Sequence, residues 1–138
     1  MSEKRIDFNK YVQFVDGVTS KESKCSESFM ERLNALSVND KVKIERLLTG
    51  AVGLSAESGE LLEIVKKLIF QGKPWNDETV FHIKRELGDI VWYIMQVLMA
   101  IDCSLDEIVE MNIEKLVKRY PGGEFDAYYS ENRKTNDL

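Results

Sequence analysis

The sequence predicts an all-α protein, a bundle of four to five helices, and three observations predict it. Apolar residues recur at three- and four-residue spacing through most of the chain. Proline occurs only at Pro74 and Pro121, and no alternating run bounded by hairpin turns is present. Two acidic pairs, Glu57/Glu60 in AESGELLE and Glu86/Asp89 in RELGDIVWY, repeat at i, i+3, the spacing that places both acids on one helical face.

The elements follow in order. Residues 8–18 carry Phe8, Val12, Phe14 and Val15 at helical spacing, and the Ser- and Lys-rich residues 19–28 read as a loop. A short helix is expected over residues 29–36 and a long one over 40–70, through the first acidic pair. Residues 71–77 (QGKPWND) form a turn in which Asn76 or Asp77 can cap the next helix. That helix has a seam of Ile83, Leu87, Ile90, Ile94, Val97 and Ile101, spaced 4-3-4-3-4 as in helices packed nearly parallel. The last helix opens on a capping box between Ser104 and Glu107 and closes at Tyr120, before Pro121-Gly122-Gly123. Residues 124–138 read as a polar tail, either loose or laid across a partner.

At 138 residues the chain is expected to be one domain, with its core in 40–121. A net charge of −5 and a pI near 5.0 argue against nucleic acid as a partner. Cys25 and Cys103 have no paired spacing, which points to a reducing compartment. The charged N-terminus has no apolar signal segment, and the apolar run 87–101 is broken by Asp89 and is too short for a bilayer. A cytoplasmic protein with no membrane contact is the expectation.

The acidic pairs carry the chemistry. A single E-x-x-E is usually a solvated face. Here, however, each pair lies in an apolar stretch and spans a mid-helix glycine, Gly59 or Gly88. Glycine in a helix costs about 1 kcal/mol relative to alanine, so both are expected to mark close approach by a neighbour. Two such helices side by side would gather four carboxylates, whose repulsion calls for a cation. Oxygen ligands without Cys or His favour Mg²⁺, with Mn²⁺ as a substitute, over zinc. The seam and the two glycines together predict at least a dimer.

Helical directions extend the site. Glu86 and Asp89 share a stripe with His82 and Tyr93, about a quarter turn from the seam. Glu60 lies close in direction to Glu57, Ile64 and Lys67, so Lys67 can meet a substrate anion, whereas Lys66 points away and reads as a solvated charge. On the last helix the expected buried stripe is Leu105, Val109, position 112 and Leu116, and position 112 is Asn. Asn112 is either a core amide satisfied by the backbone or, with Lys115 and Arg119 beside it, part of a cationic wall facing the acids. Such a wall suits a polyphosphate. His82, the lone histidine, reads more readily as a capping or solvated residue than as a ligand, and Trp75, Trp92 and Tyr93 as core or rim aromatics.

The blocks GLSAESGELLEIVKKLIFQG, RELGDIVWYIMQVLMAI and NIEKLVKRYPGGEFD resemble the MazG-type all-α nucleoside triphosphate pyrophosphohydrolases, in the family's order and over residues 48–126. The resemblance implies a homodimer or homotetramer of helical bundles. It implies Mg²⁺-dependent cleavage of (deoxy)nucleoside triphosphates between the α and β phosphates, giving the monophosphate and pyrophosphate. By the same carry-over Glu57, Glu60, Glu86 and Asp89 are catalytic and hold Mg²⁺. Lys67, Asn112, Lys115 and Arg119 would contact phosphates or sugar, and Tyr93 the sugar or base. Many relatives double the first glutamate, and here that position is Ala56. The chemistry suits the residues: metal-activated water attacks the α-phosphorus, with no need for a Ser or Cys nucleophile or a glycine-rich phosphate loop.

A ferritin-like di-iron site needs Glu-x-x-His pairs, and His82 is not three residues after any glutamate. A phosphoribosyl-ATP pyrophosphohydrolase is disfavoured by the N-x-x-K-L-x-x-R-Y-P block. A non-catalytic helical interaction module differs from the enzyme in having no need to bind magnesium.

Overall fold

The structure, a computed structural model, describes residues 6–39 and 42–132. Every regular element among them is helical, and the chain divides into two compact units, Met1–Ile44 and Glu45–Leu138.

In the first unit α1 spans Phe8–Val18 and starts where expected, because the Asp7 carboxylate accepts a hydrogen bond from the Lys10 amide at 3.2 Å. A 3-10 turn over Lys21–Ser23 leads to α2, Ser26–Asn39. The Lys24 ammonium ties the turn to the end of α1 through the Asp16 carbonyl at 2.6 Å. The predicted loop over 19–28 and short helix over 29–36 are therefore corrected. The polar residues Ser26, Glu27 and Ser28 already belong to α2, and Ser28 is buried. The expected start of the next helix at Asp40 lies outside the described residues.

The second unit holds α3 (Ile44–Phe70), α4 (Asp77–Ile101), α5 (Leu105–Arg119) and α6 (Ala127–Glu131). The α3–α4 turn is fixed locally. The Asn76 side chain accepts from the Thr79 amide at 2.9 Å, and the Thr79 hydroxyl donates to the Pro74 carbonyl at 2.9 Å. Asp102, in the left-handed conformation with φ 54°, ends α4. Ser104 caps α5 by accepting from the Glu107 amide at 3.2 Å, and the chain bends by 96° between the two helices. The tail is more ordered than expected: Asp126 accepts from the Tyr128 amide at 2.8 Å and starts α6.

Helices α3 and α4 run antiparallel, since partners rise along one as they fall along the other. Arg46 reaches Met99 Sδ at 3.7 Å and donates to Gln96 at 2.6 Å, Gly50 meets Val97, Gly53 meets Tyr93, and Glu57 meets Asp89. Two glycines make this approach possible, and they are not the two the sequence singled out. A Cβ on Gly50 would stand 2.6 Å from Val97 Cγ2 and 3.1 Å from both the Tyr93 carbonyl oxygen and the Val97 nitrogen. A Cβ on Gly53 would fall within the Tyr93 ring. Gly59 and Gly88 have nothing within 4 Å of where a Cβ would be, so the expected close approach there is absent among the described residues.

The seam on α4 is only partly buried. Ile83, Ile90, Ile94 and Val97 are half-buried, Leu87 and Ile101 are exposed, and the most enclosed residues are Thr79, Leu98 and Ala100. On α5 the expected buried stripe is overturned: Leu105, Val109, Asn112 and Leu116 are all exposed, and no residue of that helix is buried. Among the described residues no single helix is long and apolar enough to cross a membrane.

Candidate active site

The antiparallel register brings the two acidic motifs face to face. Glu57 on α3 meets Glu86 and Asp89 on α4, and one carboxylate oxygen from each lies within 4.8 Å of the other two. Glu57 and Glu86 are half-buried and Asp89 is exposed, so the cluster opens on solvent. The Glu57 carboxyl is pushed above its ordinary value, first by desolvation, then by the charges of Asp89, Glu86 and Glu60, and by a hydrogen bond with Glu86. The cluster is short of positive charge. Its donor set, carboxylate oxygens alone, suits a hard divalent ion.

The remaining predicted residues are distributed around this trio. Glu60, one turn along α3, is exposed and outside it, although its charge still acts on Glu57. Lys67 is engaged by Glu63 at 3.5 Å. Lys66, expected to be merely solvated, pairs with the same Glu63, and these contacts hold the Glu63 carboxyl below its usual range. His82 lies 3.8 Å from Glu78, one turn back along its own helix, rather than against the acids. Trp75 and Trp92 are exposed, so of the core and rim positions expected for them the core is excluded. Tyr93 is half-buried and meets Trp92 edge to face at 4.8 Å between ring centroids.

Asn112 and Lys115 are exposed on α5, and Arg119 is half-buried at its end. Asp89 precedes the end of α4 by twelve residues, roughly 18 Å of helix axis, and α5 then departs at 96°. Helix α5 thus starts roughly 18 Å along the axis of α4 from Asp89 and turns away from it.

Sequence reasoning missed one feature. A shallow concavity of about 430 Å³ lies one turn from the trio, lined by Leu48, Thr49, Val52, Gly53, Ala56 and Tyr93. It is open and largely apolar. The signal for it is the pair Gly50/Gly53, whose i, i+3 spacing clears a strip of α3 for side chains of α4.

The model of the MazG nucleotide pyrophosphohydrolase domain matches residues 46–123, more than half of the chain. The chain belongs to the MazG family. The match takes in the acid trio, the concavity and all of α5, and it begins after α1 and α2. The Gene 37 protein of Mycobacterium phage L5 is similar, 32% identical over 81 residues that cover 58% of this chain and 71% of the phage protein. No solved structure gives a significant match. The MazG match and the acid trio thus fall on the same two helices, α3 and α4.

Proposed function

We propose that this MazG domain cleaves (deoxy)nucleoside triphosphates to the monophosphate and pyrophosphate with the help of Mg²⁺. The convergence of Glu57, Glu86 and Asp89 within 4.8 Å carries the reading. These three acids, with Glu60 on the same face of α3, would hold the ion, and Mn²⁺ would substitute. A divalent ion supplies charge neutralisation at the phosphates and lowers the pKa of a water. The carboxylates orient that water towards the α-phosphorus, and pyrophosphate leaves. Lys67 lies at the edge of the acidic face, where it can exchange Glu63 for a phosphate oxygen.

The cations of α5 complete the site from a second copy. Helix α5 turns away from α4 by 96° and leaves Ile108, Val109, Met111, Ile113, Leu116 and Val117 exposed. Monomers rarely leave so much contiguous apolar surface open. In a homodimer or homotetramer that face is covered, and Asn112, Lys115 and Arg119 of one subunit meet a triphosphate held by the acids of another. The acids bear on one side of the polyphosphate through the ion, the cations on the other.

A nucleotide panel incubated with Mg²⁺, Mn²⁺ or chelator, with pyrophosphate and orthophosphate assayed separately, tests the reading. Metal-dependent pyrophosphate release is expected. Release of orthophosphate alone, or no turnover of any nucleotide, would favour a helical interaction module instead.

A further inference from the structure

We infer that Gly53 is a positioning residue for the nucleoside half of the substrate, acting through Tyr93; this rests on the proposed triphosphate cleavage at the neighbouring acids. The Tyr93 ring lies where a side chain on Gly53 would be. At Gly50 the nearest obstacles to a Cβ include backbone of α4, whereas at Gly53 the three nearest atoms all belong to the Tyr93 ring, so a side chain at 53 has to swing that ring away. The ring is one wall of the concavity, and Gly53 is its floor.

Placement decides what the concavity receives. Tyr93 follows Asp89 by four residues and Gly53 precedes Glu57 by four, so the concavity stands one helical turn from the acids on both helices. That separation, roughly 6 Å, is the distance from an α-phosphate to the sugar and base attached to it. No charged side chain lines the concavity, so it is unsuited to phosphate and suited to the flat face of a base or sugar. Trp92 meets Tyr93 edge to face, with the rings at 86°. The missing side chain at 53 lets the ring take this position, and the metal-holding acids are untouched by it.

The test is Gly53→Ala, assayed with its parent for triphosphate hydrolysis and for inhibition by the two products. The expected result is a KM raised roughly 5- to 100-fold, the scale of one base–aromatic stacking contact, with kcat within about threefold. Inhibition by nucleoside monophosphate should weaken in step, while inhibition by pyrophosphate, which has no nucleoside to place in the concavity, stays unchanged. A loss of folded structure alone would not divide the two products in this way. Emission from Trp92, read in a Trp75→Phe background, should shift as the ring moves. If Gly53→Ala does not fold, Gly53→Ala/Tyr93→Ala removes the collision and should match Tyr93→Ala in KM. An unchanged KM in Gly53→Ala, or a double variant worse than Tyr93→Ala, overturns the inference while the hydrolytic reading stands. A parent protein that releases no pyrophosphate overturns both.

Discussion

On antiparallel helices, one carboxylate oxygen of Glu57 lies within 4.8 Å of one from Glu86, and an Asp89 oxygen stands equally close to both. The crowding raises the proton affinity of Glu57, through desolvation first and then the charges of Asp89, Glu86 and Glu60, and a divalent cation would relieve it at neutral pH.

That relationship fixes a pH dependence. The proton affinity of Glu57 is raised in the folded state, so its contribution to stability is complete below the ordinary carboxyl value of 4.5 and is lost as pH rises through the higher folded value. In chelator, Glu57→Gln should melt a few degrees above the parent at neutral pH. The difference should vanish in acid. Magnesium should reverse the order, because the parent then gains an ion the variant holds poorly. Equal melting temperatures in chelator at neutral pH would mean that the carboxylates do not repel.

Glu86→Gln and Asp89→Asn should each lower kcat/KM by about 100-fold or more, because each removes one of three oxygens within 4.8 Å. Helical content should be unchanged. Circular dichroism and steady-state kinetics check both. Near-parental turnover in either variant at moderate Mg²⁺ would remove that residue from the metal site.

The four mid-helix glycines should separate into two classes. Gly50→Ala should destabilise by about 1–3 kcal/mol, because its Cβ would press on Val97 and on α4 backbone that cannot turn aside. Gly59→Ala and Gly88→Ala should be neutral or stabilising by up to about 1 kcal/mol in the isolated chain, since nothing lies within 4 Å. Denaturant melts at low protein concentration measure this. A loss at Gly59 or Gly88 that grows with concentration would place a partner helix there.

Much of this was legible in the sequence because it is local. Asn76 and Ser104 cap the helices they were expected to cap, since a cap depends on three or four neighbouring residues. The meeting of Glu57 with Glu86 and Asp89 was legible because i, i+3 acids in apolar helices have few other uses. The register of α3 against α4 was not local, so Gly59 and Gly88 were mistaken for the contact glycines in place of Gly50 and Gly53. The stripe through Asn112 was read as buried because periodicity shows that a helix has an apolar face, not whether its own chain covers it. The short helix α6 escaped because five residues around two tyrosines have no period to read.

Subunit mixing tests the assignment of α5. Glu86→Gln and Lys115→Ala should each be inactive alone. If α5 serves the acids of another copy, mixing the two after mild dissociation should restore up to about a quarter of parental activity in a dimer, because some sites then combine intact acids with intact α5. No recovery from a mixture shown by light scattering to exchange subunits would return Lys115 to its own chain.

Hydrolysis in oxygen-18 water, with both products weighed by mass spectrometry, tests the chemistry most directly. If carboxylates at Glu57, Glu86 and Asp89 orient water to the α-phosphorus, one labelled oxygen per turnover should enter the nucleoside monophosphate and none the pyrophosphate. Label in the pyrophosphate, or in released orthophosphate with a nucleoside diphosphate, would contradict that reading.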